Sequence, residues 1–258
     1  MTDPGRIADA QRALLCLAAE QAGAVSFAPP APAGYELLGV LTAVDAVFHL
    51  GPLKLGASRV FYGWALTKGT ETTIVVRGTA DATEWWLDAQ FLPRPHAQSG
   101  GTVEDGFWSI YSTMRLEGPD GTDRGTAAAA IANTARTVTV TGHSLGGALG
   151  TFLAADLGSR GVTVTGKMFA SPKPGDAAYV GWAQRMMADC VSYRFEPDQV
   201  PDVPLALGYE RLPSTVTLPD DARVKRTLDC FHHAYTYAWL LDPSLPVGAP
   251  DSLGCIAA

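Results

Sequence analysis

The pentapeptide GHSLG at positions 142–146 is the segment whose residue types and spacing could most directly do chemistry. A serine with glycine two positions before and after it is typical of the nucleophile elbow, a sharp turn between a strand and a helix that projects the hydroxyl above a sheet. Side chains at Gly142 and Gly146 would collide with neighbouring backbone in such a turn. The pattern predicts nucleophilic attack by the Ser144 hydroxyl on a carbonyl carbon; the alternative is an ordinary glycine-rich turn.

Two adjacent histidines, His232 and His233, are the candidates for the base that such a nucleophile needs. In hydrolases with this elbow the chain order is serine, acid, histidine, and no other histidine follows Ser144. One of the two is expected to deprotonate the serine, and the other to form a hydrogen bond or face solvent. His143, inside the elbow, is expected to pack.

The acid that orients the base is expected in a loop after a later strand. Asp198 directly follows the predicted strand at 191–195, and the prolines around it would make the loop rigid. Asp202 and Asp189 are weaker candidates. For each aspartate the alternative is a carboxylate that caps a loop.

The elements that must position these residues alternate between strand and helix patterns. Strands are predicted at 58–67, 72–77, 137–141, 162–169 and 191–195, with a hairpin-like stretch at 209–218. Helices are predicted at 4–22, 102–116 (with a start near Glu104 as the alternative), 125–135, 145–157, 176–188 and 231–241. The alternation predicts an α/β fold with a mainly parallel central sheet and helices on both faces. Because no repeat or linker divides the chain, residues 1–258 are expected to form one domain.

The composition limits the classes of function. The chain has 258 residues, of which 47% are hydrophobic and 17% charged, so it can bury a large core. A net charge of −7 without a Lys/Arg cluster argues against binding to nucleic acid or to an anionic membrane surface. No apolar run approaches the ~20 residues that span a bilayer, so no integral membrane segment is expected.

The compartment stays open from the sequence. Residues 13–19 are apolar, but the run is short and is flanked by Asp9, Arg12 and Glu20. An amphipathic first helix is favoured over a signal peptide, which needs a basic start and a longer apolar stretch. The expectation is a cytoplasmic protein, or a secreted one if a leader was removed.

The four cysteines, Cys16, Cys190, Cys230 and Cys255, lack the pair spacing of a metal site, so no metal is expected. They are either four free buried thiols or, in an exported protein, disulfides with three possible pairings. A bond between Cys16 and Cys255 would tie the first helix to the C-terminal tail.

Four blocks stand in an informative order: VRGT at 76–79, VTGHSLGGAL at 140–149, DQVPDVP at 198–204 and HHAYTY at 232–237. The set resembles the class 3 lipases, the fungal-type triacylglycerol lipase family of the α/β-hydrolase superfamily. The family patterns are a strand-end R-G-[ST], the elbow, D-x-V-P-x-x-P and H-x-x-x-x-Y. One departure is Glu104, which stands where many members carry the histidine of V-H-x-G-F.

The resemblance implies a triad of Ser144, Asp198 and His232. It favours His232 over His233 as the base because Tyr237 then falls five residues on, as in the family pattern. It also implies an oxyanion hole.

That oxyanion hole would consist of the backbone N–H groups of Thr79 and Leu145, with the Thr79 hydroxyl as a further candidate donor. Arg77 is expected to hold the same loop by structural hydrogen bonds rather than to act in catalysis.

A lid is the next implication, because in class 3 lipases the segment matching residues 80–95 carries a short helix over the acyl groove. Here it contains Trp85, Trp86 and Leu87. Two adjacent tryptophans cannot share one helix face, so one is expected to be exposed or to line the pocket, as suits a lipid–water boundary. The alternative is that Trp86 and Leu87 pack on the sheet edge.

The implied activity is hydrolysis of a carboxylic ester through an acyl-enzyme, without metal or organic cofactor. The implied substrate is an acylglycerol ester, met at a lipid–water interface. Alternatives on the same scaffold are a short-chain or aryl-ester (feruloyl-type) esterase and a phospholipase A1. From another class, the alternative is a catalytically silent binding protein with the hydrolase fold, against which the presence of all three triad residue types argues.

Overall fold

Segments rich in β-branched and aromatic residues form the strands at the centre of the molecule. The computed structural model describes residues 3–26, 28–44, 59–78, 92–205 and 208–257. Its strands are β1 (Glu36–Val44), β2 (Arg59–Lys68), β3 (Glu71–Val76), β4 (Pro93–His96), β5 (Gly101–Glu104), β6 (Arg115–Glu117), β7 (Asp123–Thr126), β8 (Thr137–His143), β9 (Thr163–Phe169), β10 (Gly175–Asp176), β11 (Asp189–Phe195), β12 (Tyr209–Glu210) and β13 (Thr215–Leu218).

The main sheet has the strand order β13-β11-β9-β8-β3-β2-β1-β6-β7 within the described ranges. From β13 to β3 neighbouring strands are parallel, and from β3 to β7 they are antiparallel. In the parallel half, Val76 at the end of β3 pairs with Gly142 of β8. The carboxyl ends of β3, β8 and β11 therefore meet at one edge, where connecting loops can bring distant residues together.

The helices of the described chain are α1 (Pro4–Val25), α2 (Asp105–Ser112), α3 (Ala127–Thr134), α4 (Leu145–Ser159), α5 (Ala177–Met186), α6 (Leu228–His232) and α7 (Ala234–Leu241), with 3₁₀ turns at Val200–Asp202 and Pro250–Ser252. The carboxylate of Asp3 caps α1 by accepting from the N–H of Gly5, and Pro4 stands at the first helical position.

Helices cover both faces of the sheet. One face buries α4 against β8 and β9, with α2, α3 and α5 beside it, around residues such as Leu149 and Phe152. The other face is covered by α1 and α7, which contact each other over a core that includes Trp64 and Trp239. The predicted α/β architecture is thereby confirmed, with the parallel strands forming one half of the sheet. Among the described helices, none has the length together with the apolarity that crossing a bilayer requires.

The helix predicted at 102–116 is shorter than that full range, and the alternative start near Glu104 is confirmed. The structure has a strand up to Glu104, a helix over Asp105–Ser112 and a second strand from Arg115. The buried Glu104 carboxylate accepts from the N–H of Phe107 at 2.6 Å, so it caps the helix and fixes where it begins. Backbone pairing of the preceding residues with β4 competes successfully with helix formation.

The hairpin predicted at 209–218 is also wrong. Its two strands join different sheets, because β12 pairs with β10 in a small sheet of order β12-β10-β5-β4 and β13 pairs with β11 in the main one. The period-two pattern identified the strands, but tertiary partners rather than the local turn decide their pairing.

One disulfide joins Cys230 to Cys255, with 5.1 Å between the Cα atoms. The considered pairing of Cys16 with Cys255 is therefore wrong. Cys16 is a free buried thiol on α1, where its sulfur lies 3.5 Å from the hydroxyl of Thr141, and Cys190 is likewise free and buried. Burial raises the pKa of the Cys16 thiol, which keeps it protonated and unreactive.

Candidate active site

Ser144 occupies a strained turn between the end of β8 and the start of α4. Its backbone has φ 56° and ψ −131°, in the left-handed region of φ that side chains other than glycine rarely adopt. A Cβ atom built on Gly142 would lie 2.1 Å from the carbonyl oxygen of Gly146, and one on Gly146 would lie 2.2 Å from that of Val76. Both glycines are therefore required by close backbone approach.

Ser144, His232 and Asp198 are connected by a continuous chain of hydrogen bonds. The Nε2 atom of His232 lies 2.8 Å from the Ser144 Oγ, and its Nδ1 atom lies 2.9 Å from Asp198 Oδ2. All three side chains are buried. Because a carboxylate only accepts, Nδ1 carries the proton and Nε2 is left to accept from the serine hydroxyl. This is the tautomer that a general base needs.

Asp198 is held by donors on its own loop and on α7. Its Oδ1 accepts from the N–H of Val200 at 3.0 Å, and its Oδ2 accepts from the hydroxyl of Tyr237 at 2.7 Å. The Tyr237 oxygen in turn accepts from the N–H of Phe195 at 2.9 Å. Burial and the adjacent Asp198 charge raise the pKa of Tyr237 well above its usual value, so the phenol remains a donor.

The other acid candidates point elsewhere. Asp202 forms ion pairs with Arg194 and Arg211, and Asp189 pairs with Lys167 at 2.9 Å. Neither carboxylate is among the hydrogen-bond partners of His232 in the described chain.

His233 has a separate structural position, at a break in the helix predicted over 231–241. Its backbone is extended, with φ −67° and ψ 133°, so helix α6 ends before this residue and helix α7 begins after it. Its Nδ1 accepts from the N–H of Tyr235 at 3.2 Å. Burial, followed by the positive charge of His143, lowers the pKa of His233 to about 4, so the ring is neutral and can act as this cap near pH 7.

The first residue of α4, Leu145, follows Ser144 directly. Its N–H belongs to the first helical turn, whose donors lack intrahelical partners and carry the positive end of the helix dipole. The other predicted oxyanion donor, Thr79, lies outside the described residues, as do Trp85, Trp86 and Leu87.

The strand end that leads toward Thr79 is held by Arg77. Its guanidinium donates to the carbonyl oxygens of Phe61 and Gly78 and lies 5.0 Å from the ring centroid of Tyr62. Of the segment expected to form a lid, residues 80–91 are outside the described ranges, and residues 93–95 belong to strand β4.

His143 does more than pack, contrary to the simple expectation for it. Its Nδ1 lies 2.8 Å from Glu20 Oε1, and its Nε2 lies 2.7 Å from the backbone carbonyl oxygen of His232. The His143 and His232 rings are 4.8 Å apart. Sequence reasoning missed Glu20 altogether, because it lies on α1, 123 positions from His143 and outside any motif.

The chain belongs to the class 3 lipase family, whose model, "Lipase (class 3)", matches residues 73–208. Two curated relatives, each named "Secreted mono- and diacylglycerol lipase A", from Penicillium cyclopium and Penicillium camembertii, are 31% identical over 172 residues. The aligned region covers 63% of this chain and 54% of either relative, so the chain spans about half the length of the curated relatives it matches.

Solved structures agree on the fold. A crystal structure described as fungal lipases matches with a TM-score of 0.64 at 16% identity, over 89% of this chain and 86% of that one. The Rhizomucor miehei lipase propeptide complex matches with a TM-score of 0.61 at 18% identity, over 98% of this chain and 81% of that one. A mutant form of the Penicillium cyclopium protein MDLA matches with a TM-score of 0.52 at 26% identity, over 64% of this chain and 62% of that one. The α/β-hydrolase fold is confirmed.

Proposed function

We propose that the protein is a serine carboxylester hydrolase that cleaves acylglycerol esters through an acyl-enzyme. The observation that carries the proposal is the unbroken chain of hydrogen bonds from Ser144 through His232 to Asp198. A nucleophile, a base in the correct tautomer and a buried orienting acid are the three parts that such chemistry needs.

In the first step His232 accepts the hydroxyl proton at Nε2 while Ser144 Oγ attacks the ester carbonyl carbon. The carbonyl oxygen becomes an oxyanion, which the N–H of Leu145 and, in this proposal, that of Thr79 would stabilise. The tetrahedral intermediate collapses, the carbon–oxygen bond to the alcohol breaks, and His232 gives its proton to the leaving alcohol. Asp198 stabilises the transient imidazolium through Nδ1–H.

In the second step water replaces the alcohol. His232 takes a proton from the water as it attacks the acyl carbon, and the same oxyanion donors act again. The bond to Ser144 Oγ breaks, the serine recovers its proton from His232, and a carboxylic acid leaves. All groups in both steps belong to side chains and backbone of the chain, and the scheme uses no cofactor.

The acylglycerol substrate is proposed from the named relatives and from the surface near the site. The Penicillium relatives are called mono- and diacylglycerol lipases. Two large apolar side chains are exposed: Leu205, 84% exposed, on the loop that carries Asp198, and Leu92, 59% exposed, within the segment 80–95 expected to form a lid, whose carbonyl accepts from the N–H of Asp105. We infer contact with a lipid–water interface there, assisted by a lid that contains Trp85, Trp86 and Leu87.

An oxidising compartment is part of the proposal. The Cys230–Cys255 disulfide supports it, since such bonds persist outside the reducing cytosol. The curated relatives are named as secreted proteins. We therefore propose an extracellular or other oxidising destination rather than the cytoplasm.

The test is hydrolysis of p-nitrophenyl esters from acetate to palmitate by the wild type and by Ser144→Ala, below and above the concentration at which the substrate forms micelles. Ser112→Ala, at an exposed position on α2, is the matched control. Expected results are loss of at least about 10³-fold in kcat for Ser144→Ala and none for Ser112→Ala. Labelling by a fluorophosphonate should disappear in the first variant only.

The chain-length profile separates the alternatives. A preference for long chains with a rise in rate above the micelle threshold supports the lipase. Activity confined to short or aromatic esters would make the protein an esterase, and release of a fatty acid from the first position of a phospholipid would make it a phospholipase A1. Absence of labelling in the folded wild type would identify a silent binding protein instead.

A further inference from the structure

A second histidine lies against the proposed base and takes no part in the mechanism above. His143 is 3% exposed and is fixed at both ring nitrogens, by the Glu20 carboxylate on one side and by the His232 carbonyl oxygen on the other. The Glu20 side chain also approaches the end of β3, since a Cβ built on Gly78 would lie 2.8 Å from its Oε1. The first helix thus reaches into the active centre.

The hydrogen-bond partners of the two neighbouring rings, whose planes are tilted by 38° to each other, favour different protonation states. A carbonyl oxygen can only accept, so His143 Nε2 must carry a hydrogen, and an ionised Glu20 requires a second one on Nδ1. His143 is then an imidazolium. His232 faces one carboxylate and one hydroxyl, so it can be a neutral imidazole with a free lone pair toward Ser144.

The electrostatic surroundings of His143 agree with this assignment. It faces Glu20 from α1, Asp198 from the acid loop, His232 and His233 from the end of α6, and the Tyr237 ring from α7 at 6.0 Å. Burial by itself lowers the pKa of His143, but the charge and hydrogen bond of Glu20 outweigh it, and the net pKa is raised. The neighbour His233 is kept neutral and adds no charge near pH 7.

We propose that His143, protonated and paired with Glu20, is a positioning residue that fixes the backbone of the catalytic histidine and sets the acid limb of the activity. This inference rests on the proposed ester hydrolase function. The hydrogen bond to the His232 carbonyl fixes the backbone from which the imidazole extends. The positive charge of His143, whose ring centroid lies 4.8 Å from that of His232, acts on the proposed base through space, so removal of that charge should change how the activity responds to pH.

The key variant is Glu20→Gln, because it removes the charge while keeping the geometry. The new amide can donate to a neutral His143 at Nδ1, and His143 Nε2–H can still donate to the carbonyl. His143→Gln is the second variant, since its amide retains a donor but carries no charge. Glu71→Gln, at an exposed position at the start of β3, is the matched control.

The first readout is the pH profile of kcat/KM on a soluble p-nitrophenyl ester. In Glu20→Gln and in His143→Gln the acid limb is expected to move to higher pH by about one unit. On the plateau above the limb, kcat/KM should change by less than about tenfold. Glu71→Gln should superimpose on the wild type, and thermal unfolding of each variant shows that it is folded.

The second readout does not need activity. Nitrogen-15 NMR of histidine-labelled protein reports whether each ring nitrogen carries a proton. At pH 7 the wild type should show His143 protonated at both nitrogens, and Glu20→Gln should show it protonated at one.

The two ideas fail in distinguishable ways. An active wild type whose acid limb is the same in Glu20→Gln, or whose His143 is neutral at pH 7, would overturn the positioning role and leave the hydrolase intact. A wild type that hydrolyses no ester would overturn the proposed function.

Discussion

Tyr237 links the acid of the candidate site to the strand before it. Its hydroxyl donates to Asp198 and accepts from the N–H of Phe195, and both partners are buried. One oxygen therefore satisfies a buried backbone donor and a buried carboxylate at the same time, and its removal would leave both with one partner fewer.

We expect Tyr237→Phe to lower the free energy of unfolding by about 1–3 kcal/mol, since it strands a buried N–H and weakens the support of a buried carboxylate. Because Asp198 then orients His232 less firmly, kcat should fall by about tenfold or more. Urea denaturation and p-nitrophenyl ester kinetics measure the two effects.

Tyr235→Phe provides the comparison on the same helix. Its hydroxyl donates to the carbonyl of Pro246 at 2.7 Å and, within the described ranges, forms no hydrogen bond with Ser144, Asp198 or His232. Tyr235→Phe should lower the free energy of unfolding by about 1 kcal/mol and leave kcat unchanged. If both variants lost activity equally, the specific link between Tyr237 and the acid would be wrong.

At the residue scale the sequence was most informative where spacing and chemistry coincide. The elbow glycines and the aspartate after β11 could be identified because a strained turn and a strand end restrict residue types. Glu20 could not, since a carboxylate on an amphipathic helix is indistinguishable in sequence from a solvent-facing one. The roles of Ser144, Asp198, His232 and Thr79 remain predictions.

At the scale of elements, two helical glycines differ in whether their surroundings leave room for a side chain. Gly146 in α4 stands against the carbonyl of Val76, with no room for a methyl group. Gly181 in α5 has space, because an added Cβ would meet only Arg185, at 3.6 Å. The close contact of α4 with the sheet, rather than helix propensity, explains the first glycine.

Gly146→Ala is expected to destabilise the fold by about 3 kcal/mol or more, because backbone cannot move aside as a flexible side chain can. Gly181→Ala should stabilise it by about 0.5–1 kcal/mol, since alanine loses less conformational entropy in a helix. Chemical denaturation of both variants decides the matter, and equal effects of the same sign would contradict the assigned packing.

The element predictions succeeded where one pattern dominated and failed where local signals competed. The alternation before the elbow identified β8, and the Ala- and Leu-rich run after it identified α4. The full range 102–116 was too long for one helix, because the carboxylate cap at Glu104 divides a strand from a helix; the start near Glu104 was among the predictions, but the end at Ser112 was not. The last helix was divided by His233 for the same reason.

At the scale of the whole molecule, the disulfide joins the tail to the segment that carries the proposed base. Cys230 lies two residues before His232, and its carbonyl accepts from the Thr236 hydroxyl at 2.7 Å. The tail also pairs with the chain upstream, through a bridge between Val224 and Ile256.

Replacing both Cys230 and Cys255 by serine should lower the free energy of unfolding by about 3 kcal/mol, because it opens a loop with a sequence separation of 25. A reductant should lower the melting temperature of the wild type to that of the double variant and leave the double variant unchanged. Cys190→Ser, which removes a free thiol, should keep the response to reductant. Alkylation of the denatured, unreduced wild type should modify two of the four cysteines; four modified residues would exclude the disulfide.

The docking of α1 has a consequence for the molecule as a whole. The helix is anchored at Asp9, which accepts from the hydroxyl of Tyr193 at 2.7 Å, and about three turns further on Glu20 contacts His143. Detachment of this helix and alignment of the active centre are thus linked equilibria, and linkage is reciprocal. We therefore expect that whatever loosens this helix also disorders the proposed base, and that an inhibitor bound covalently to Ser144 holds the helix more firmly in place.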